Sequence, residues 1–164
     1  MVRRSHCAAC AAAGPSGPCS GAVRFDLNGQ GVAAAAADVN EFGYQLEIGR
    51  KLSELRDRGV LILGSGNVVH NLGAVQWGKN RKPHDFAQEF DTLFADKLED
   101  RDFAALADRN GLGTLLRMAH PTVDHYLPAL TVSGAADDGD DLTFMTDTID
   151  LASISMRSFV FHAR

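Results

Sequence analysis

Apolar positions change their spacing near residue 40, and the elements of the chain follow from that change. From Asn40 onward, Tyr44, Ile48, Leu52 and Leu55 fall on one helical stripe, with Glu47, Lys51, Glu54 and Arg58 around the rest of the helix. Asn40 is placed to cap its start and Gly59 to stop it. The next apolar residues, Val60 to Leu63, are consecutive rather than periodic and lie between Gly59 and Gly64. Such a run predicts a strand buried on both faces of a sheet covered by helices. The Gly64-Ser65-Gly66 turn stops that strand and then presents His70, at the carboxyl end of a strand, where open α/β sheets place ligand crevices. A lone histidine there reads equally well as a core residue held by one hydrogen bond.

Helical spacing returns at Phe86, Phe90, Leu93, Phe94 and Leu98, with Asp85 near the start, and this stripe reads as core rather than as a cofactor box. A shorter helix over Arg101 to Arg109 is expected to end at Asn110-Gly111. Further on, Thr122 reads as an N-cap with Asp124 in the first turn, and Val123, Leu127, Leu130 and Gly134 form the buried stripe of the helix that follows. On that helix His125 would point about 200° away from Val123. Pro128, inside the helix, should bend it. His120 and His125 together at a helix entrance make a stronger site candidate than either alone, the plainer reading being surface histidines near a cap. The acidic run Asp137 to Asp141 lacks the glutamate that closes a calcium loop and reads as a solvated turn. Leu142 to Met145 and Ile154 to Phe161 read as strands. The sum is an α/β fold, a central sheet with helices on both faces.

Composition narrows the class. A chain of 164 residues suits one domain with a real core. Its net charge of -5 argues against a general nucleic-acid binder. No apolar run approaches the roughly 20 residues that span a bilayer, and no signal peptide is visible, so a soluble, cytoplasmic protein is expected. Residues 1–38 differ from the rest: Ala, Gly, Ser and Pro dominate, with one short strand at Val23 to Leu27, and this start is expected to be disordered, leaving 39–164 as the folded part. It also holds Cys7, Cys10 and Cys19. Cys7 and Cys10 have the spacing of a redox pair or half a zinc site, but no strand precedes them, and incidental cysteines are the favoured reading.

Two motifs are specific. Gly59-Val60-Leu61-Ile62-Leu63-Gly64-Ser65-Gly66-Asn67-Val68-Val69-His70-Asn71-Leu72 and His120-Pro121-Thr122-Val123-Asp124-His125-Tyr126-Leu127-Pro128 resemble the class III extradiol ring-cleaving dioxygenases, in particular the DOPA dioxygenase-like members. Gly49-Arg50-Lys51-Leu52, Trp77 and the closing Ser153-Ile154-Ser155-Met156 match in order as well. The resemblance runs from residue 39 to the end, the second half of a family member, so the fold should be incomplete relative to the family. It implies cleavage of a catechol of the DOPA kind by O2 on a non-haem Fe(II), with zinc the alternative metal. It implies His70 as the acid–base residue and His125 as a metal ligand, with Ser65, Asn67 and His120 as candidate substrate-binding residues. An imidazole that titrates near neutrality suits the deprotonation of a catechol.

The resemblance also implies two more histidine ligands, in His-Gly-(Ser/Ala)-Pro and Ser-Ala-His-Trp motifs, and neither motif occurs in this sequence. His6 is in the wrong context, and His120 is not a ligand position of the family. The expectation is a truncated or frame-shifted dioxygenase of low activity alone, its open sheet edge prone to self-association. A non-catalytic remnant or interaction module without metal is the alternative. A hydrolase using Ser65 fails because the nucleophile elbow needs Gly-x-Ser-x-Gly, and a nucleotide loop lacks its third glycine.

Overall fold

The computed structural model describes residues 22–27 and 30–35 as strands, and residues 42–78 and 81–163 with their side chains. His6, Cys7, Cys10 and Cys19 lie outside the described residues. The elements in order are β1 (Ala22–Leu27), β2 (Gln30–Ala35), α1 (Phe42–Ser53), β3 (Leu61–Gly64), α2 (Asp85–Glu99), α3 (Phe103–Ala107), α4 (Arg109–Ala119), α5 (Leu127–Gly134), β4 (Asp141–Thr146), β5 (Ile149–Asp150), β6 (Ile154–Ser155) and β7 (Ser158–His162). The α/β class expected from the sequence holds. The strands form three small sheets, ordered β2-β1-β3, β4-β7 and β5-β6, all antiparallel. Two stretches of the Ala- and Gly-rich start are thus strands, the first over the run Val23 to Leu27, with Val23 opposite Gly64 and Asp26 opposite Leu61.

The core is where the aromatic stripe put it. α2 buries Ala87, Phe90, Phe94 and Leu98 completely, and α4 and α5 add Leu116, Ala119, Leu127 and Leu130. Tyr126 sits at its centre, with the rings of Phe42, Phe90 and Phe94 at 5.4, 5.6 and 6.0 Å. Its hydroxyl donates to the Leu106 carbonyl at 2.9 Å, which satisfies the one polar atom it carries into the interior. Each large side chain buried here contributes roughly 1.5–3 kcal/mol.

α1 packs on α5 through glycine. A Cβ at Gly49 would overlap the Thr131 carbonyl oxygen, and one at Gly134 would overlap that of Leu46. Backbones this close centre the contact on Gly49, so the buried face of α1 is Phe42, Gln45, Leu46 and Gly49. Tyr44, expected on the stripe, lies exposed instead.

Other expectations need correction. β3 begins at Leu61, after the buried Val60, and its burial alternates: Leu61 and Leu63 are 65% and 53% exposed, so one face of the strand is open. Asn110-Gly111 does not stop a helix but lies in the first turn of α4, because the Asp108 carboxylate accepts from both their backbone N–H groups at 3.0 Å and caps the new helix. α5 starts at Leu127 rather than Thr122, so Pro128 falls in the first turn, where its missing N–H costs nothing and it bends nothing. The acidic turn is not wholly solvated: Asp140 is buried and paired with the Arg56 guanidinium at 2.6 and 2.8 Å. The strand expected over Ile154 to Phe161 is divided into β6 and β7.

The turn from β5 to β6 is unusual. Leu151 and Ala152 both have positive φ, 51° and 67°, in a region that costs a non-glycine residue roughly 1–2 kcal/mol. The segment after His70 clasps this turn. Gln76 N donates to Leu151 O and His84 N to Ala152 O, each at 2.9 Å, Asn71 N donates to Ser153 O at 3.2 Å, and Ser153 Oγ donates to Asn71 O at 2.8 Å.

Candidate functional site

From Gly64, the last residue of β3, the chain runs through Ser65 and Gly66 directly against the turn that holds His125. Asn67 N donates to the His125 carbonyl at 3.1 Å, and His70 N donates to that of Ala119 at 3.0 Å. Val68 and Val69 are buried, and Ser155 N donates to Val69 O at 2.9 Å. His70 is therefore held on one side by the residues before and within the His120–His125 turn and on the other by β6, with which it forms an isolated antiparallel bridge at Ile154.

The two motif histidines meet. The His70 and His125 rings are stacked, centroids 3.6 Å apart and planes within 12°. Asn67 orients the second ring: its Nδ2 donates to Ser155 O at 2.9 Å, which turns its Oδ1 toward His125 Nδ1 at 3.1 Å. An amide oxygen only accepts, so Nδ1 is the nitrogen that donates to it and Nε2 is the one turned away from Asn67. That Nε2 lies 3.8 Å from the Asp124 carboxylate. Burial lowers the affinity of His70 for a proton, and the neighbouring His125 lowers it further, against a smaller pull from Asp124. At neutral pH His70 is thus an uncharged imidazole able to take a proton.

Of the other candidates, Ser65 is exposed, and with Asn67 and His125 it lines a groove of about 540 Å³ that also runs along β3 and β7. His120 is not open to a ligand. It is 2% exposed, its Nε2–H donates to Val68 O at 2.7 Å, and it packs edge-on to Phe90 with centroids 5.5 Å apart. It supports the loop that carries His70 from below. Its Nδ1 has no partner among the described residues.

Sequence reasoning missed the network that fixes this site from beneath. Ser155 Oγ donates to Asp91 Oδ1 at 2.6 Å, and Arg157 grips the same carboxylate with Nε at 3.0 Å and Nη2 at 2.6 Å. The Arg157 guanidinium also lies over the Phe144 ring at 4.9 Å. Because the Ser155 carbonyl holds Asn67, and Asn67 holds His125, the Asp91 carboxylate positions both. The available signal was an aspartate on the buried face of a helix, beside Phe90 and one turn before Phe94.

Gly66 is the tightest point of the site. A Cβ there would overlap the His125 carbonyl oxygen and come 3.0 Å from its carbon. Gly66→Ala should destabilise the chain by about 1–3 kcal/mol, the usual cost of an overpacked contact. It should also separate the two rings, and loss of the mutual ring-current shifts of the His70 and His125 signals in NMR spectra would report this. Unchanged histidine signals would contradict it.

Among the described residues no group of three His, Cys, Asp or Glu side chains converges to hold a metal ion. His125 Nε2 is one candidate donor, and His70 is stacked on its ring rather than spread around a common centre. The described residues therefore do not by themselves form the three-donor shell of a non-haem iron site. No helix among them is long and apolar enough to cross a membrane.

The family described as the catalytic LigB subunit of aromatic ring-opening dioxygenase matches residues 31–161, and the chain belongs to this family. It is 38% identical over 121 residues to a 4,5-DOPA dioxygenase extradiol of Escherichia coli K12, a match covering 70% of this chain and 43% of that protein. It is 28% identical over 123 residues to a 4,5-DOPA dioxygenase extradiol of Portulaca grandiflora, covering 72% of this chain and 44% of that one. A crystal structure of an uncharacterized protein of Escherichia coli K12 superposes with a TM-score of 0.66 at 34% identity, over 76% of this chain and 52% of the other. The chain thus spans less than half the length of the curated relatives it matches.

Proposed function

We propose that this chain carries the acid–base half of an extradiol dioxygenase site that opens a catechol ring of the DOPA kind with O2. The observation that supports this most directly is the stacked His70–His125 pair, held by Asn67 beside an open groove. In this reading the neutral His70 imidazole accepts the proton that a catechol hydroxyl must lose. Stacking on His125 and the hydrogen bond from His70 N to Ala119 O keep its ring from swinging away. Asn67 holds His125 through Nδ1, which leaves Nε2 as the nitrogen offered to a metal. Ser65 and Asn67 line the wall a substrate would meet.

The family generally uses non-haem Fe(II). The described residues do not complete a shell for it, so His125 is proposed as one donor of a set finished elsewhere, with Fe(II) favoured over zinc. That same shortfall favours one other reading, a non-catalytic module that keeps the fold without the metal. Adding DOPA to the chain while following the histidine ring signals by NMR decides whether the pair binds substrate. The His70 and His125 signals should shift together, and His125→Ala should abolish the effect on His70. If DOPA at millimolar concentration moves neither signal, the catechol reading falls. For the isolated chain we expect slow ring opening or none, so yellow ring-fission product at a normal enzymic rate would show that the chain completes its own metal shell.

A further inference from the structure

Asn110 and Gly111 are exposed, in the turn of α4 that precedes a break at Gly113. Gly113 has φ 54° and ψ −128°, outside the helical region but open to glycine. The turn is closed by Leu112 N, which donates to Asp108 O at 2.9 Å. It is capped by Asp108 Oδ1, which accepts from Asn110 N and Gly111 N at 3.0 Å. A Cβ at Gly111 would come 2.5 Å from Asp108 Oδ2, so the cap itself requires glycine there. The same glycine exposes its neighbour to chemistry. An asparagine followed by glycine is open to attack on its own side chain, because no Cβ shields the following nitrogen.

We propose that Asn110 is a deamidation site whose rate is set by the Asp108 cap. In the reaction the Gly111 nitrogen gives up its proton and bonds to Asn110 Cγ. The bond from Cγ to Nδ2 breaks, and ammonia leaves with a proton. Water then opens the five-membered imide at either carbonyl and gives aspartate or isoaspartate at position 110, with no change of oxidation state. Asp108 opposes the first step directly. Its oxygen holds the hydrogen that the Gly111 nitrogen must lose, and its negative charge disfavours the anion that would form. The attack also requires Asn110 to leave its helical ψ, so the capped turn must open first. Because Gly113 interrupts α4 just beyond, the cap carries much of the resistance to that opening. Isoaspartate adds a methylene to the backbone and cannot keep the turn, which would free Arg109 from the Phe42 ring it covers at 5.7 Å.

The test is incubation of the whole chain at neutral pH and 37 °C, with peptide mass spectrometry reporting conversion at Asn110 and the ratio of isoaspartate to aspartate. The chain unfolded in urea should deamidate there at least about tenfold faster than the folded chain, and Asp108→Ala in the folded chain should be roughly five- to tenfold faster than wild type. Asp108→Ser, which keeps a capping oxygen, should stay near the wild-type rate. Hydrogen exchange separates opening of the cap from unfolding. In Asp108→Ala the Gly111 amide should exchange faster by a similar factor, while those of Phe90 and Phe94 keep their protection. Asn71, whose side chain donates to Met118 O and accepts from Ala74 N, should stay intact in every folded sample. Equal rates in folded and unfolded chain, an Asp108→Ala rate no faster than wild type, or an Asp108→Ser rate as fast as Asp108→Ala would each overturn the proposal. So would a product free of isoaspartate, which would mean direct hydrolysis by water.

Discussion

Replacing Asp91 by alanine is expected to cost about 3–5 kcal/mol of folding stability, the range found when one partner of a buried ion pair is removed. The carboxylate is nearly inaccessible and takes three hydrogen bonds, two from the Arg157 guanidinium and one from Ser155 Oγ. Alanine would strand a guanidinium whose side chain is only 12% exposed and leave the Ser155 hydroxyl without its acceptor. The pair itself need not be worth that much, because two apolar residues of matching shape often replace a buried pair at little cost. Asp91→Leu combined with Arg157→Met should therefore recover much of the loss. Urea unfolding of the wild type, the single variant and the double variant checks this, and a single-variant loss under about 1 kcal/mol would place the pair among weak surface bridges.

The second large effect is a dependence of stability on pH arising from His120. Burial pushes this imidazole from its ordinary value of 6.5 down to about 4, partly offset by the hydrogen bond to the Val68 carbonyl. The physical reason is visible at Nδ1, which has no acceptor waiting for a second proton. In the unfolded chain the group takes up a proton below about 6.5, whereas the folded chain resists until about 4. Between these values the unfolded state holds more protons, so stability is lost as pH falls, by up to about 1.4 kcal/mol per unit and roughly 3 kcal/mol in all. Above pH 7 the term is flat. Denaturant unfolding at pH 7, 6, 5 and 4 should show this slope, and His120→Phe should remove the larger part of it, the lowered proton affinity of His70 leaving a smaller one of the same sign. Asp140, held below the usual carboxylate range by its hydrogen bond to Arg56, adds a loss only at more acidic pH.

What could be read from the sequence, and what could not, divides by the range of the interactions. The stripe of Phe90, Phe94 and Leu98 is local periodicity, and it gave the core directly. The approach of His70 to His125 was legible because two compact motifs each fix a turn. Local rules failed where a neighbour outweighed them. Asp108 capped a helix through a dipeptide that ordinarily ends one, and glycine contacts between α1 and α5 turned Tyr44 outward. His120 looked like a site residue because it shares a motif with His125, yet a bond to Val68 across 52 positions of sequence draws it inside. The Asp91 network joins residues 64 to 66 positions apart, and no window of the sequence contains it.

The two left-handed residues of the β5–β6 turn have a kinetic consequence. Leu151 and Ala152 stay in that conformation only while Gln76, His84 and Asn71 hold their carbonyls and that of Ser153. Releasing any one of these bonds lets the turn relax, and the conformational energy regained then favours release of the others. The loop after His70 and this hairpin should therefore open and close as one cooperative unit, at lower free energy than the aromatic core and without unfolding it. The stacked pair of His70 and His125 would then border a segment that moves in concert.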